Sequence, residues 1–293
     1  MISRITDQML LNNSQADLQI QLSQLSVLQN QSSSGQAISK PSDNPSGMAL
    51  SLALQSQQSA NTQYAANATD GQNWLTSVDG ALTSATTALQ QVRNLTLSAA
   101  NATQTTTSQN AIVSQLESLK GELMSAANTT YLGRPVFAGN SDSGAAFNSD
   151  YSYNGTPGQT VTRTISPDTT VSVSGDGAAT FGTGSNSVFA LIDSIVGDIQ
   201  SGSDVTGQIA NIDSALSAVS SQTALVGANY NVVQAGQAVL TTQASTLTTQ
   251  RSDVDSVDIT KTVIALQSQQ VAYQAALDVT SKALQPTLIS LLS

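Results

Sequence analysis

The stretch SKPSDNPSG, residues 39–47, concentrates turn formers and helix-capping residues between two long helical patterns. Pro41 and Pro45 each disfavour helical backbone at the residue before them. Asp43 and Asn44 are good N-cap residues, and Pro45 suits the first turn of a following helix. We therefore predict a firm joint between two helices, defined by Pro41, Asp43, Asn44 and Pro45.

The two ends of the chain each carry one apolar stripe at near-heptad spacing, which is typical of helices that pack against other helices. Residues 3–33 form the first pattern, and a second pattern runs from about residue 260 onward. With no other local partner, the two helices are predicted to pair antiparallel as a coiled coil, and neighbouring subunits are predicted to cover what stays exposed. An ordinary intramolecular bundle is the alternative. The predicted assembly-interface residues are Leu11, Leu18, Leu22, Leu25, Leu28, Val263, Leu266, Tyr273, Leu277, Leu284, Leu288 and Leu291.

Helical periodicity also fills most of the sequence between the ends. One pattern starts near residue 46 and has an apolar face from Tyr64 to Val92, and another long pattern covers residues 207–252. Gly227 and Gly236 lie inside the latter and indicate close helix approach. Residues 141–187 differ, with seven glycines, two prolines and alternating runs around Tyr151 and Tyr153, Val161 to Ile165, and Val171 and Val173. Such runs predict hairpins and strands.

The predicted fold is therefore mainly α: an elongated helical rod with terminal coiled-coil helices and a small inserted β-rich domain. Residues 1–38 with 256–293 are predicted to form the terminal coiled-coil domain. Residues 39–140 with 188–255 form the helical rod domain, and residues 141–187 form the inserted outer domain.

Composition favours a protein that assembles. Only 10% of the residues are charged, and serine, threonine, glutamine and asparagine fill the polar positions. Such a surface can be buried without leaving many charges unpaired. A secreted protein with a low-charge surface would have the same composition. The net charge is −10, and the nine basic residues are scattered. We therefore expect no binding to nucleic acid and no membrane association.

Several chemistries are excluded by residue type. The chain has no cysteine and no histidine, which removes thiol chemistry, histidine-based triads and histidine-based zinc sites. Asp253, Asp255 and Asp258 lack the glycine and distal glutamate of an EF-hand loop, so we interpret them as solvated acids at a helix start. We predict no enzymatic activity, no cofactor and no metal. The start of the chain lacks signal-peptide character, and no apolar run approaches a membrane span.

Two terminal segments resemble the bacterial flagellin superfamily. They are Met1 to about residue 100, including SSGQAISKPSDNPSGMALSLALQSQ, and residues 253–293, DVDSVDITKTVIALQSQQVAYQAALDVTSKALQPTLISLLS. Within the superfamily, Pro-Ser-Asp-Asn-Pro at 41–45 and NTTYLGRPVFAGNSDSGAAF at 128–147 are similar to the hook–filament junction proteins rather than to filament flagellins. Residues 141–187 resemble no family known to us.

The resemblance implies a structural, extracellular subunit at the hook–filament junction, exported without a cleaved signal peptide. The implied partners are hook-associated protein 1, flagellin, neighbouring subunits in a ring, and an export chaperone at the C-terminal helix. Two alternatives stay open. One is a filament flagellin, and the other is a secreted binding module or enzyme carried in the β insertion.

Overall fold

A computed structural model describes residues 2–100 and 105–292, with the side chains of residues 9, 12–100 and 105–282. The described residues are mostly helical, which confirms the predicted fold class. The helices are α1 (Ile2–Ser34), α2 (Pro45–Ala99), α3 (Thr106–Ala127), α4 (Gly177–Phe181), α5 (Val188–Ser201), α6 (Gln208–Asp255) and α7 (Ile259–Leu292). The strands are β1 (Thr130–Tyr131), β2 (Arg134–Pro135), β3 (Thr162–Ser166) and β4 (Thr169–Ser172), and a 3₁₀ turn spans Gly184–Asn186. Within the described part, no helix combines the length and the apolar character needed to cross a bilayer.

The chain divides into two compact units. Residues 1–59 and 245–293 form the terminal unit, and residues 60–244 form the central unit. Helices α2 and α6 each contribute to both units.

In the terminal unit, α1 packs against α7, and the pairing is antiparallel. Gln36 forms an antiparallel bridge with Ser256 at one end of the pair. Further along, the Gln269 side-chain amide donates to the Gln21 carbonyl at 3.3 Å. The predicted pairing of the two end helices is thus confirmed where the structure describes them.

The central unit has one apolar core shared by α2, α3, α5, α6 and the segment between α3 and α5, which holds the two hairpins and the short helix α4. On α2, positions 68, 75, 78, 82, 85, 89 and 92 are at most 1% exposed, as the three-four spacing predicts. Four phenylalanines and neighbouring tyrosines form an aromatic cluster, with Phe137, Phe147, Phe181 and Phe189 at centroid distances of 5.2–6.1 Å. Two of these rings lie within residues 141–187, so that segment contributes directly to the core.

The β structure consists of two short antiparallel hairpins. β3 pairs with β4 from Thr162 opposite Ser172 to Ser166 opposite Thr169, with an irregularity before Ser166. This confirms the strands predicted around Val161 and Val171. The strand predicted at residues 151–153 is wrong: Tyr151 has a φ of +66°, the left-handed conformation of turns, and only an isolated bridge forms there.

Helices α2 and α6 hold the β3–β4 hairpin through their amides and glycines. The Asn67 side chain donates to the Thr164 carbonyl, and the Asn229 side chain donates to the Ser172 carbonyl. A Cβ on Gly236 would lie 2.8 Å from Ile165, so this glycine permits close approach of the hairpin rather than of a helix. The corresponding prediction for Gly227 is wrong, because open space surrounds it.

The abundant hydroxyl groups of α2 and α6 mostly bond within their own helix. Thr76 donates to the Gln72 carbonyl, and Ser217 donates to the Asp213 carbonyl, both at 2.9 Å. The same four-residue pattern recurs along both helices. Back-bonding of this kind satisfies a hydroxyl without solvent or a second element.

Candidate assembly surface and helix joint

The described members of the predicted assembly interface lie on the paired stripes of α1 and α7. Six are half-buried: Leu18, Leu25, Leu28, Val263, Leu266 and Tyr273. Leu22 and Leu277 are 50% and 42% exposed. The side chains of Leu11, Leu284, Leu288 and Leu291 lie outside the described residues. The half-buried members recur at three- and seven-residue spacing, as expected of a seam between two helices. Their predicted role between subunits stays a prediction.

A second set of apolar side chains points away from this seam. On α1 these are Met9, Ile20 and Val27, at 63%, 56% and 43% exposure, and on α7 they are Ile264, Val271 and Val279, at 62%, 66% and 67%. At about 100° per residue, they lie roughly 100–180° around each helix from the half-buried stripe. Sequence reasoning missed them, although Ile20 and Val27, like Ile264 and Val271, are seven residues apart.

Exposed large apolar side chains are concentrated in the terminal unit. Among the described side chains, eleven of the sixteen belong to it. Exposed apolar side chains that are concentrated in one part of a protein indicate contact sites with other proteins. The outward faces of α1 and α7, which we call the outward stripes, are therefore the strongest candidate for an assembly surface.

The joint between α1 and α2 is built by Asp43. Its Oδ2 accepts hydrogen bonds from the Ser39 amide at 3.2 Å, the Ser39 hydroxyl at 3.0 Å and the Lys40 amide at 3.1 Å. Desolvation opposes ionisation of this carboxyl, but these hydrogen bonds outweigh it and lower the pKa of Asp43. One ionised side chain thus fixes the loop over five residues.

Asn44 and Pro45 start α2 as predicted. The Asn44 Oδ1 accepts from the Gly47 amide and the Ser46 hydroxyl, both at 2.9 Å, which is the N-cap geometry. Pro45 occupies the first helical position, where its missing N–H costs nothing. The Ile38 side chain, 9% exposed, packs over Gly47, because a Cβ on Gly47 would lie 2.6 Å from Ile38 Cδ1.

A second joint, between α6 and α7, lies beside the first. The Asp255 carbonyl accepts from the Ala37 amide at 2.6 Å, and the Val257 amide donates to the Gly35 carbonyl at 3.1 Å. The Asp255 carboxylate accepts from the Ser51 hydroxyl at 2.9 Å and pairs with Arg251 at 3.0 Å. Asp255 therefore connects both joints, which sequence reasoning missed because its partners are distant along the chain.

The interpretation of the three acids near residue 255 as solvated helix-start residues holds for one of them and fails for another. Asp258 caps α7, because its Oδ1 accepts from the Lys261 amide at 3.2 Å. Asp255 instead ends α6, and its side chain is only 20% exposed. Within residues 2–100 and 105–292, no group of three or more acidic side chains is arranged to hold a metal ion.

The segment 128–147 begins with the β1–β2 hairpin and ends in the core. Asn128 fixes its two ends together, because its Oδ1 accepts from the Phe147 amide at 2.8 Å and its Nδ2 donates to the Phe147 carbonyl at 3.0 Å. Val136, Phe137 and Ala138 between them are fully buried. This stretch is therefore a structural element of the central unit.

Comparison with protein families gives matches at both ends of the chain. The family model of the bacterial flagellin N-terminal helical region matches residues 5–142, and that of the C-terminal helical region matches residues 209–292. Together these matches cover more than half of the sequence.

Individual relatives divide into two kinds by coverage. The chain is 25% identical to flagellar hook-associated protein 3 of Salmonella typhimurium, over 93% of this chain and 94% of that protein. It is 29% identical to a flagellin of Clostridium tyrobutyricum, but over 43% of this chain and only 33% of that flagellin. Among solved structures, the crystal structure of FlgL from Bacillus cereus shares the fold. That structure has a TM-score of 0.60 and 21% identity, and the match covers 68% of this chain and 99% of the FlgL chain.

Proposed function

The chain belongs to the bacterial flagellin family, and on this premise we propose that it is a structural subunit at the junction between the flagellar hook and the filament. Its role is mechanical: it adapts one helical assembly to the next. We propose no enzymatic activity.

The observation that carries the proposal is the end-to-end similarity to the Salmonella hook-associated protein 3. That match spans nearly the full length of both chains, whereas the match to the Clostridium flagellin covers one third of the flagellin. An alignment from one end to the other supports the same order of terminal and central segments as in that junction protein. This favours the junction over the filament as the site of action.

The proposed partners are hook-associated protein 1 on one side, flagellin on the other, and neighbouring copies in a ring. An export chaperone is proposed to hold the C-terminal helix before assembly. The outward stripes of α1 and α7 support these contacts, because they expose apolar side chains that neighbouring chains would bury. The joint of Pro41, Asp43, Asn44 and Pro45 is proposed to fix where α1 ends.

The three-part division of the chain stays a prediction. It assigns residues 1–38 and 256–293 to a terminal coiled coil, 39–140 and 188–255 to a helical rod, and 141–187 to an inserted domain. Limited proteolysis of the free protein tests it, because trimming should stop near residues 40 and 255. Resistance of the ends would contradict it.

Deletion of the gene tests the proposed role. Cells lacking the protein should carry hooks without filaments in electron micrographs and should release flagellin into the medium. A plasmid copy of the wild-type chain should restore the filaments. Intact filaments on the deletion cells would refute the junction role, and extension of filament seeds by the purified protein alone would favour a filament flagellin instead.

Variants on the outward stripe sharpen this experiment. Val271→Asp places a charge on a 66% exposed apolar position, so the monomer should fold while assembly fails. Gln274→Asp adds the same charge at an exposed position of α7 between the half-buried stripe and the outward stripe, and it is the matched control. We expect the control to restore filaments at least ten times more often than Val271→Asp. Equal restoration would exclude the stripe from the assembly surface.

A further inference from the structure

The β1–β2 hairpin presents an apolar tip to solvent. Leu132 and Gly133 form a two-residue turn in which both φ angles are positive, +50° and +79°. This left-handed backbone suits glycine but is strained for a leucine. Leu132 is 82% exposed, more than any other large apolar side chain among the described residues. An exposed side chain on a strained backbone is typical of a contact site.

Arg134, beside this tip, is a positive charge without a counter-charge among the described residues. Its guanidinium carbon lies 6.0 Å from the centre of the Trp74 ring, and its Nε is buried with no hydrogen-bond partner in the part of the chain that the structure describes. The other three basic residues of the central unit each pair with an aspartate, Arg93 with Asp213, Lys120 with Asp193 and Arg163 with Asp70, at 2.6–2.7 Å. In the described part of the chain, Arg134 makes no such pair.

A groove of about 570 Å³ between α2 and α3 has the complementary properties. Half-buried Leu95 and buried Leu119 supply its apolar surface. Its remaining lining is polar and includes Glu122, which is exposed and makes no ion pair within the described residues. A cavity of about 150 Å³ already accepts a benzene molecule, so this groove has ample room for a leucine side chain.

We propose that the hairpin tip of one copy of this chain inserts into the α2–α3 groove of a second copy. Leu132 would contact Leu95 and Leu119, and Arg134 would pair with Glu122. The unpaired opposite charges and the matching apolar groups favour a second copy over an unrelated partner. The inference rests on the proposed function for its setting, since it names the contact between neighbouring subunits.

The hairpin tip lies too far along α2 to enter the groove of its own chain. Trp74, which anchors the hairpin, precedes the groove-lining positions 91–95 by 17 to 21 residues on α2. At 1.5 Å per residue this is about 26–32 Å along the helix axis. The contact is therefore heterologous, with different surfaces on the two copies, and such contacts build rings or helical assemblies. It predicts neighbours offset by a similar distance along α2.

Cysteine cross-linking tests the contact directly, because the natural chain contains no cysteine. Purified full-length Leu132→Cys is mixed at high concentration with tagged Ser118→Cys, whose mutated residue lines the groove. Ser84→Cys, an exposed position of α2 outside the groove, replaces Ser118→Cys in the control mixture. We expect at least ten times more mixed dimer after oxidation with Ser118→Cys than with Ser84→Cys. Equal yields would overturn the proposal.

Charge reversal tests the ion pair. In the background of the cross-linking pair, Arg134→Glu on the hairpin partner should reduce the mixed dimer at least five-fold. Glu122→Arg on the groove partner should do the same. The two reversals combined, one on each partner, should restore the yield, because the opposite charges face each other again. Failure of restoration would refute the Arg134–Glu122 pairing.

Leu132→Asn tests the hairpin contact in a chain that should keep its stability. Asparagine tolerates the left-handed backbone better than leucine, so the variant should melt no lower than the natural protein. Its plasmid copy should nevertheless restore filaments to deletion cells at least five-fold less often. Full restoration would refute the hairpin contact while leaving the junction role intact. Normal filaments on the deletion cells would refute the junction role, and the cross-linking result would still decide the contact.

Discussion

Removal of the Asp255 carboxylate should loosen the paired joints of the terminal unit by a predictable amount. In Asp255→Ala, the Ser51 hydroxyl, in a residue 8% exposed, loses its charged acceptor, which costs about 1.5–3 kcal/mol. The Arg251 pair lies within one helix, and its side chains are 38% and 20% exposed, so its loss adds only about 0.3–0.5 kcal/mol. The expected total is about 2–3.5 kcal/mol.

Hydrogen exchange measures this loss where it occurs. The Ala37 and Val257 amides bond across the two joints, so their exchange should accelerate by about 30- to 400-fold. Asp253→Ala, at an exposed position two residues earlier on α6, is the matched control for the change in helix propensity. The single tryptophan of the central unit should report an unchanged urea midpoint. Equal acceleration in both variants would refute the bridging role of Asp255.

Three further predictions concern the helix start, a buried phenol and the aromatic cluster. Gly47→Ala should lower stability by about 1–2 kcal/mol in thermal unfolding, because its Cβ would collide with Ile38. Gly80→Ala, a position with no described side chain within reach of the new Cβ, should not destabilise, and equal effects of the two substitutions would contradict this packing. Burial raises the pKa of Tyr153 to about 12, so the contribution of its neutral phenol to stability is complete below pH 10 and is lost as the pH rises to 12. In Tyr153→Phe the urea midpoint should therefore fall less steeply with pH between 10 and 12, and an unchanged pH dependence would contradict this prediction. Phe147→Ala should cost about 3–5 kcal/mol in urea unfolding, and a loss below 1 kcal/mol would mean that residues 141–187 do not share the core.

Local features of the fold were predictable because their causes are local. Proline geometry and capping predicted the start of α2 within one residue, and apolar periodicity predicted its buried face. Alternation predicted β3 and β4. The strand expected near Tyr151 failed because two tyrosines at period two resemble a strand, whereas one of them adopts a turn conformation.

The candidate site was only partly predictable, because much of it depends on contacts between distant residues. The leucine stripes predicted the α1–α7 pair. The outward stripes could not be predicted, because their exposure depends on which side chains the pair itself buries. Ser51 and Asp255 are 204 residues apart in sequence, and no local pattern connects them. Arg134 has no distinguishing signal in the sequence, because the ion pairs that set Arg93, Lys120 and Arg163 apart from it connect residues distant along the chain.

The back-bonded hydroxyls of α2 and α6 affect the cost of dehydrating these helices. A serine hydroxyl that already donates to the carbonyl four residues earlier loses little hydrogen bonding when water leaves its surface. Charged side chains at the same positions would each require a new partner. The exposed faces of both helices can therefore pass from solvent into a contact, and back, with few hydrogen bonds exchanged. A chain with this surface can tolerate small changes of packing between neighbours without a penalty at each one.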